Sequence, residues 1–173
     1  MKLLFFIAPS FRAESYRNIK YNDEGFSPLK KFKMPYIKIY IHAVWATKDR
    51  KPYLTEEIRA KVIDHIYDNA RVKSINLDLV NGYKDHLHCL FTLRADQNIA
   101  TVINLLKGES SFWVNKQKLT LEKFGWQDEY FAVSIGESQV DAVRKFIRNQ
   151  EIHHKKKSFQ QEYNEFIANY NFE

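Results

Sequence analysis

The chain holds a single cysteine, Cys89, among 173 residues. That excludes an intramolecular disulfide and a cysteine metal cluster, and it fits a reducing, cytoplasmic compartment. No stretch approaches the roughly 20 consecutive apolar residues that span a bilayer, so no membrane segment is expected. The apolar opening from Met1 to Pro9 carries one lysine, but it is short for a secretory signal and no small-x-small cleavage site follows. Glycine is scarce, at five residues, and none falls in a phosphate-cradling loop. No organic cofactor is therefore expected, and no internal repeat is visible.

What is present is a hydrophobic fraction of 45%, enough to close one core in a chain of single-domain length. Lys and Arg number 27 against 21 Asp and Glu, a formal charge of +6. A basic surface attracts phosphate polyanions in a salt-dependent way, although many basic proteins bind no nucleic acid. Aromatic residues make up 15%. Their rings can stack on unpaired bases or simply fill a core.

Residues 1–33 lack periodicity, mix polar residues with glycine and end in Lys30, Lys31 and Lys33. They are expected to form a poorly ordered N-terminal extension, with a domain over 34–155 and a C-terminal helix within 156–173. From Tyr36 to Thr47 the β-branched and aromatic residues alternate in character, which predicts a strand with His42 on the face of Lys38 and Tyr40. Thr55 opens a helix to about Lys73, with Ile58, Val62, Ile63, Ile66 and Tyr67 at helical spacing. Strands follow at Ile75 to Val80 and His86 to Leu93, joined by the turn signal Asn81-Gly82, so the pair should be antiparallel neighbours. Asn98 caps a helix to about Lys118 whose apolar stripe takes in Val102, Ile103, Leu106, Phe112 and Trp113, and Gly108 is a possible bend within it. Tyr130 to Ile135 reads as a strand, Ser138 as the cap of a helix to about His154, and Phe159 to Tyr170 as a last helix after the lysine run at 155–157. This order predicts an α+β fold: a ferredoxin-like antiparallel sheet with helices packed on it, plus C-terminal helices.

Asp85-His86-Leu87-His88 carries the strongest chemical signal. Residues i and i+2 of a strand point the same way, so both imidazoles can address one ion while Leu87 enters the opposite face. A bare His-x-His is nonetheless more often a pair of satisfied or exposed histidines than a metal site. Phe146 and Gln150, four apart on the late helix, share a face. Taken alone, Phe146 reads as core and Gln150 as solvated. His153-His154 before the lysines reads as a basic helix end. Ser110 and Ser111 have no paired base at any readable spacing, so a serine nucleophile is not expected.

Taken in register, these segments resemble the small HUH-type, single-tyrosine transposases of bacterial insertion sequences, a group that includes relatives associated with repetitive extragenic palindromes. The resemblance spans about residues 34–155. It rests on Ile41-His42-Ala43-Val44-Trp45-Ala46-Thr47-Lys48 with Arg50 and Leu54, on Asp85-His86-Leu87-His88, on Ile103-Leu106-Lys107-Gly108 with Ser110-Ser111, on Trp126-Gln127-Asp128-Glu129-Tyr130-Phe131 and on Ile147-Arg148-Asn149-Gln150.

The resemblance implies a metal-dependent transposase acting on single-stranded or hairpin DNA as a homodimer. His86, His88 and Gln150 would hold Mg²⁺ or Mn²⁺, and a helix tyrosine would attack the phosphate to form a 5′-phosphotyrosine link. It also implies a DNA-binding basic surface joining Lys48, Arg50, Lys107, Arg144 and Arg148. The sequence departs from the family at one decisive place, because the nucleophile position is occupied by Phe146, which has no hydroxyl. Either the chain binds DNA without cutting it, or another tyrosine such as Tyr130, Tyr163 or Tyr170 substitutes. An RNA-binding ferredoxin-like domain is a rival reading that gives the histidine pair no role.

Overall fold

The computed structural model describes residues 36–155 and 157–170. The extension expected over residues 1–33 lies outside them. Four strands form one sheet: β1 (Ile39–Ala46), β2 (Asn76–Gly82), β3 (His86–Leu93) and β4 (Phe131–Ile135), in the order β2-β3-β1-β4. Every pairing is antiparallel. β1 is central, hydrogen-bonded to β3 on one side and β4 on the other, and it is buried on both faces from Ile41 onward. The expected fold class is observed.

Alternation along the strands sorts side chains to two faces. Ile41, Ala43 and Trp45 of β1 and Leu87, Cys89 and Phe91 of β3 pack with the larger core, which includes Val62, Ile66, Val102, Ile103 and Leu106. The latter residues come from α1 (Glu56–Val72) and α2 (Ile99–Lys116), which cover this face. The opposite face carries Leu90, Val133 and Ile135 against Val140 and Ile147 of α3 (Val140–Arg148). The caps match expectation, since the Thr55 side chain accepts from Ile58 N and the Asn98 side chain accepts from Thr101 N at 2.8 Å.

Three local expectations are corrected. Phe112 is 62% exposed. At 100° per residue it sits about 240° around the helix from Leu106, and Ser110 and Val114 continue the buried stripe instead. Gly108 lies on the open side of an uninterrupted α2, with nothing near enough to meet a Cβ. The helix expected from Ser138 to His154 begins later, after a 3-10 turn at Glu137–Gln139 without a side-chain cap. It then breaks at Asn149 (φ −96°, ψ 18°) into α3 and α4 (Gln150–His154).

β2 ends at Gly82, paired with Leu87. A Cβ at position 82 would stand 2.1 Å from the His86 carbonyl oxygen and 2.8 Å from Leu87 Cα. Only glycine lets the end of β2 close on the start of β3. The last helix, α5 (Phe159–Tyr170), follows the lysine run.

Candidate metal centre

Because Leu87 and Cys89 enter the α1/α2 core, His86 and His88 are turned to the face of α3. Both are fully buried. His86 Nδ1 donates to Asp85 Oδ1 at 2.8 Å. Asp85 Oδ2 also accepts from Arg50 Nε at 3.0 Å, and the Arg50 guanidinium lies 3.9 Å from the centre of the Phe159 ring. Burial pushes the Asp85 carboxyl upward, but the bonds from His86 and Arg50 outweigh it and bring the group down to about 2. Asp85 is thus a fixed carboxylate that orients the His86 ring and leaves its Nε2 facing Gln150.

His88 Nδ1 meets His42 Nε2 at 3.1 Å, and the two rings stack with centroids 5.3 Å apart. Burial lowers His42 to about 4, against a weaker opposing pull from Glu162. Burial, and then the neighbouring imidazoles, push His88 well below the ordinary histidine range. Near neutral pH both are uncharged imidazoles, the form that can ligate a metal.

The late helices bring the remaining predicted residues to the same place. Gln150 is fully buried, with Oε1 3.4 Å from His86 Nε2. The Phe146 ring stands edge-on to His88 with centroids 5.4 Å apart. α3 is fastened to the sheet of its own chain: Asn81 Nδ2 donates to the carbonyls of Ile147 and Arg148, and Arg144 bonds Asp78 at 2.7 and 3.0 Å.

Two residues at the centre were not expected from the sequence. His154, taken above for a basic helix end, places Nε2 3.0 Å from His86 Nε2 and 3.0 Å from Gln150 Oε1. One signal was available, because His154 is four residues after Gln150 and so shares its helical face. Glu162 of α5 is buried, with Oε2 3.0 Å from His154 Nε2 and Oε1 3.3 Å from His88 Nε2. One ligand atom from each of His86, His154 and Glu162 lies within 4.8 Å of the others. His88 therefore meets this group across the Glu162 carboxylate. Buried polar atoms without an aligned hydrogen-bond partner among the described residues gather here: His88 Nε2 and both Glu162 oxygens. Buried groups of this kind ordinarily have partners, so the convergence of these three potential ligand atoms fits a cation.

The five cations expected to form a basic surface divide in three ways. Lys48 and Arg148 are exposed. Arg50 and Arg144 are half-buried and hold Asp85 and Asp78. Lys107 is buried, a correction to the expectation: its ammonium donates to the Asp128 carbonyl at 2.9 Å and lies beside the Tyr130 ring. Burial lowers its pKa. An open cleft of about 730 Å³ runs beside Phe146 and is lined also by Lys145, Asn149, His153, Lys157 and Gln161.

Residues 35–150 match the protein-family model described as Transposase IS200 like. Among solved structures, a candidate transposase from Deinococcus radiodurans R1 is similar, with 24% identity and a TM-score of 0.54 over 70% of this chain and 98% of that one. This likeness speaks to the fold. A REP-associated tyrosine transposase bound to a REP hairpin has 18% identity and a TM-score of 0.49, over 74% of each chain. No curated protein matches.

Proposed function

Because the chain belongs to the IS200-like transposase family, we propose that it binds single-stranded or hairpin DNA at a divalent-metal centre and that its own strand cleavage is disarmed at Phe146. The observation that carries this reading is the Phe146 ring of α3 set against His88, one short break before α4 delivers Gln150 to His86. The residue at the nucleophile position stands over the candidate metal residues, and it has no oxygen to offer a phosphorus atom.

We assign His86, His88 and Gln150 to Mg²⁺ or Mn²⁺, in keeping with the orphaned buried polar atoms around them. Such an ion, when bound, supplies Lewis-acid polarisation of a phosphate oxygen. The chain's own residues do the rest. Asp85 orients His86, and His42 steadies His88. Exposed Lys48 and Arg148 are assigned to phosphate contacts, and the cleft beside Phe146 offers Lys145 and Lys157 with a ring on which a base can stack. Arg50 and Arg144, held by carboxylates, contribute a weaker field, and Lys107 drops out of the DNA-contacting set. We further propose a homodimer, testable by light scattering.

The test is cleavage of an end-labelled hairpin oligonucleotide with Mn²⁺ by the unmodified chain and by Phe146→Tyr. Binding without cutting by the former, and a covalent protein–DNA adduct from the latter, is the expected outcome. Tyr163 favours a second reading, because it lines a small pocket with Val44, His88, Phe131 and Glu162. If the unmodified chain cuts DNA and Tyr163→Phe abolishes the cut, the nucleophile has moved to α5 and the disarmed reading is wrong.

A further inference from the structure

We propose that His154 and Glu162 are direct ligands of the metal beside His86, His88 and Gln150, and that the enlarged set selects a first-row transition ion such as Zn²⁺ over Mg²⁺. The inference rests on the reading that this centre binds a divalent ion. It goes beyond that reading because both residues lie C-terminal to the 35–150 segment that matches the family.

Convergence carries the argument: one ligand atom from each of His86, His154 and Glu162 lies within 4.8 Å of the others. His86 Nδ1 faces the Asp85 carboxylate at 2.8 Å, and His154 Nδ1 faces the Lys157 backbone carbonyl at 2.9 Å. Carbonyl and carboxylate oxygens only accept, so each Nδ1 is turned outward as a donor. Each ring therefore presents Nε2 to the centre, and these two nitrogens stand 3.0 Å apart. Gln150 Oε1 lies 3.0 Å from one and 3.4 Å from the other, and Glu162 Oε2 lies 3.0 Å from His154 Nε2. Two imidazole nitrogens, an amide oxygen and a carboxylate oxygen thus point into one buried volume, and a shared cation would satisfy all four.

Spacing and chemistry agree. Ligands at bond lengths of about 2.0–2.2 Å around one ion lie about 3.0–3.5 Å apart; the separations among His86, His154 and Gln150, and from His154 to Glu162, are 3.0–3.4 Å. Two imidazoles and one carboxylate suit Zn²⁺ and its neighbours, whereas Mg²⁺ prefers an all-oxygen octahedron that keeps several waters.

The experiment titrates the metal-free full chain with Co²⁺, following visible absorption, and with Zn²⁺ and Mg²⁺ by calorimetry. The variants are His154→Ala, the near-isosteric Glu162→Gln and His86→Ala, each checked for folding in chelator by circular dichroism. Zn²⁺ should bind far more tightly than Mg²⁺. His154→Ala and Glu162→Gln should each weaken Zn²⁺ by at least about 10- to 100-fold and alter the Co²⁺ spectrum. Tight binding that depends on His86 but is unmoved by either new variant overturns this inference and leaves the proposed function standing. An absence of binding by any of the three ions overturns both. Should a variant fail to fold, anomalous diffraction at the zinc edge on the unmodified protein decides: density bonded to His154 and Glu162 supports the assignment, and density without them refutes it.

Discussion

His42 offers a quantitative check on the burial of the centre. Its ring is held at about 4 by desolvation, against an ordinary value of 6.5. The folded state therefore refuses a proton that the unfolded chain accepts between those two pH values. Stability is untouched by this group above about pH 6.5 and is lost as the pH falls toward 4. The full loss is on the order of 3 kcal/mol, and most of it has gone by pH 4.5. Urea unfolding in chelator at pH 7 and pH 4.5 measures it. His42→Gln, which keeps a polar group toward His88 Nδ1, should lose about 2–3 kcal/mol less than the unmodified chain across that interval. Equal losses in the two proteins would show that His42 titrates normally and that the face beneath α3 is wet.

Three further outcomes follow from the packing. Ile147→Ala, which empties a fully buried position against Leu90 and Val133, should cost about 2–5 kcal/mol by urea unfolding; a cost under 1 kcal/mol, on the same scale, would mean that α3 is not docked on the sheet. Asp85→Asn should weaken divalent-metal binding by about 10- to 100-fold while the fold persists, read by calorimetry and circular dichroism; unchanged affinity would remove Asp85 from the orientation of His86. Asn98→Ala should cost about 1 kcal/mol through loss of the bond to Thr101 N, and the midpoint of thermal unfolding is the readout.

Much of the fold was legible because its signals are local. Alternation located β3 at its observed bounds, and polar caps at Thr55 and Asn98 fixed two helix starts. The His-x-His pair was legible for the same reason, since strand geometry alone sends both rings to one face. What escaped depends on tertiary contact. Nothing in the sequence around Glu162 shows that α5 presses a carboxylate onto β3, and the lysines at 155–157 made that segment look detached. Lys107 escaped because lysine ordinarily belongs to the surface, yet its place beside Leu106 and three residues before Ser110 falls on the buried stripe of α2.

Position 82 shows how a residue without a side chain can govern chemistry it never touches. The empty space above its Cα sets the height at which the first imidazole sits over the sheet. Even one added methyl group would lift the backbone that anchors His86, as a shim lifts a hinge. In a randomised library selected for metal capture, this site should tolerate glycine alone.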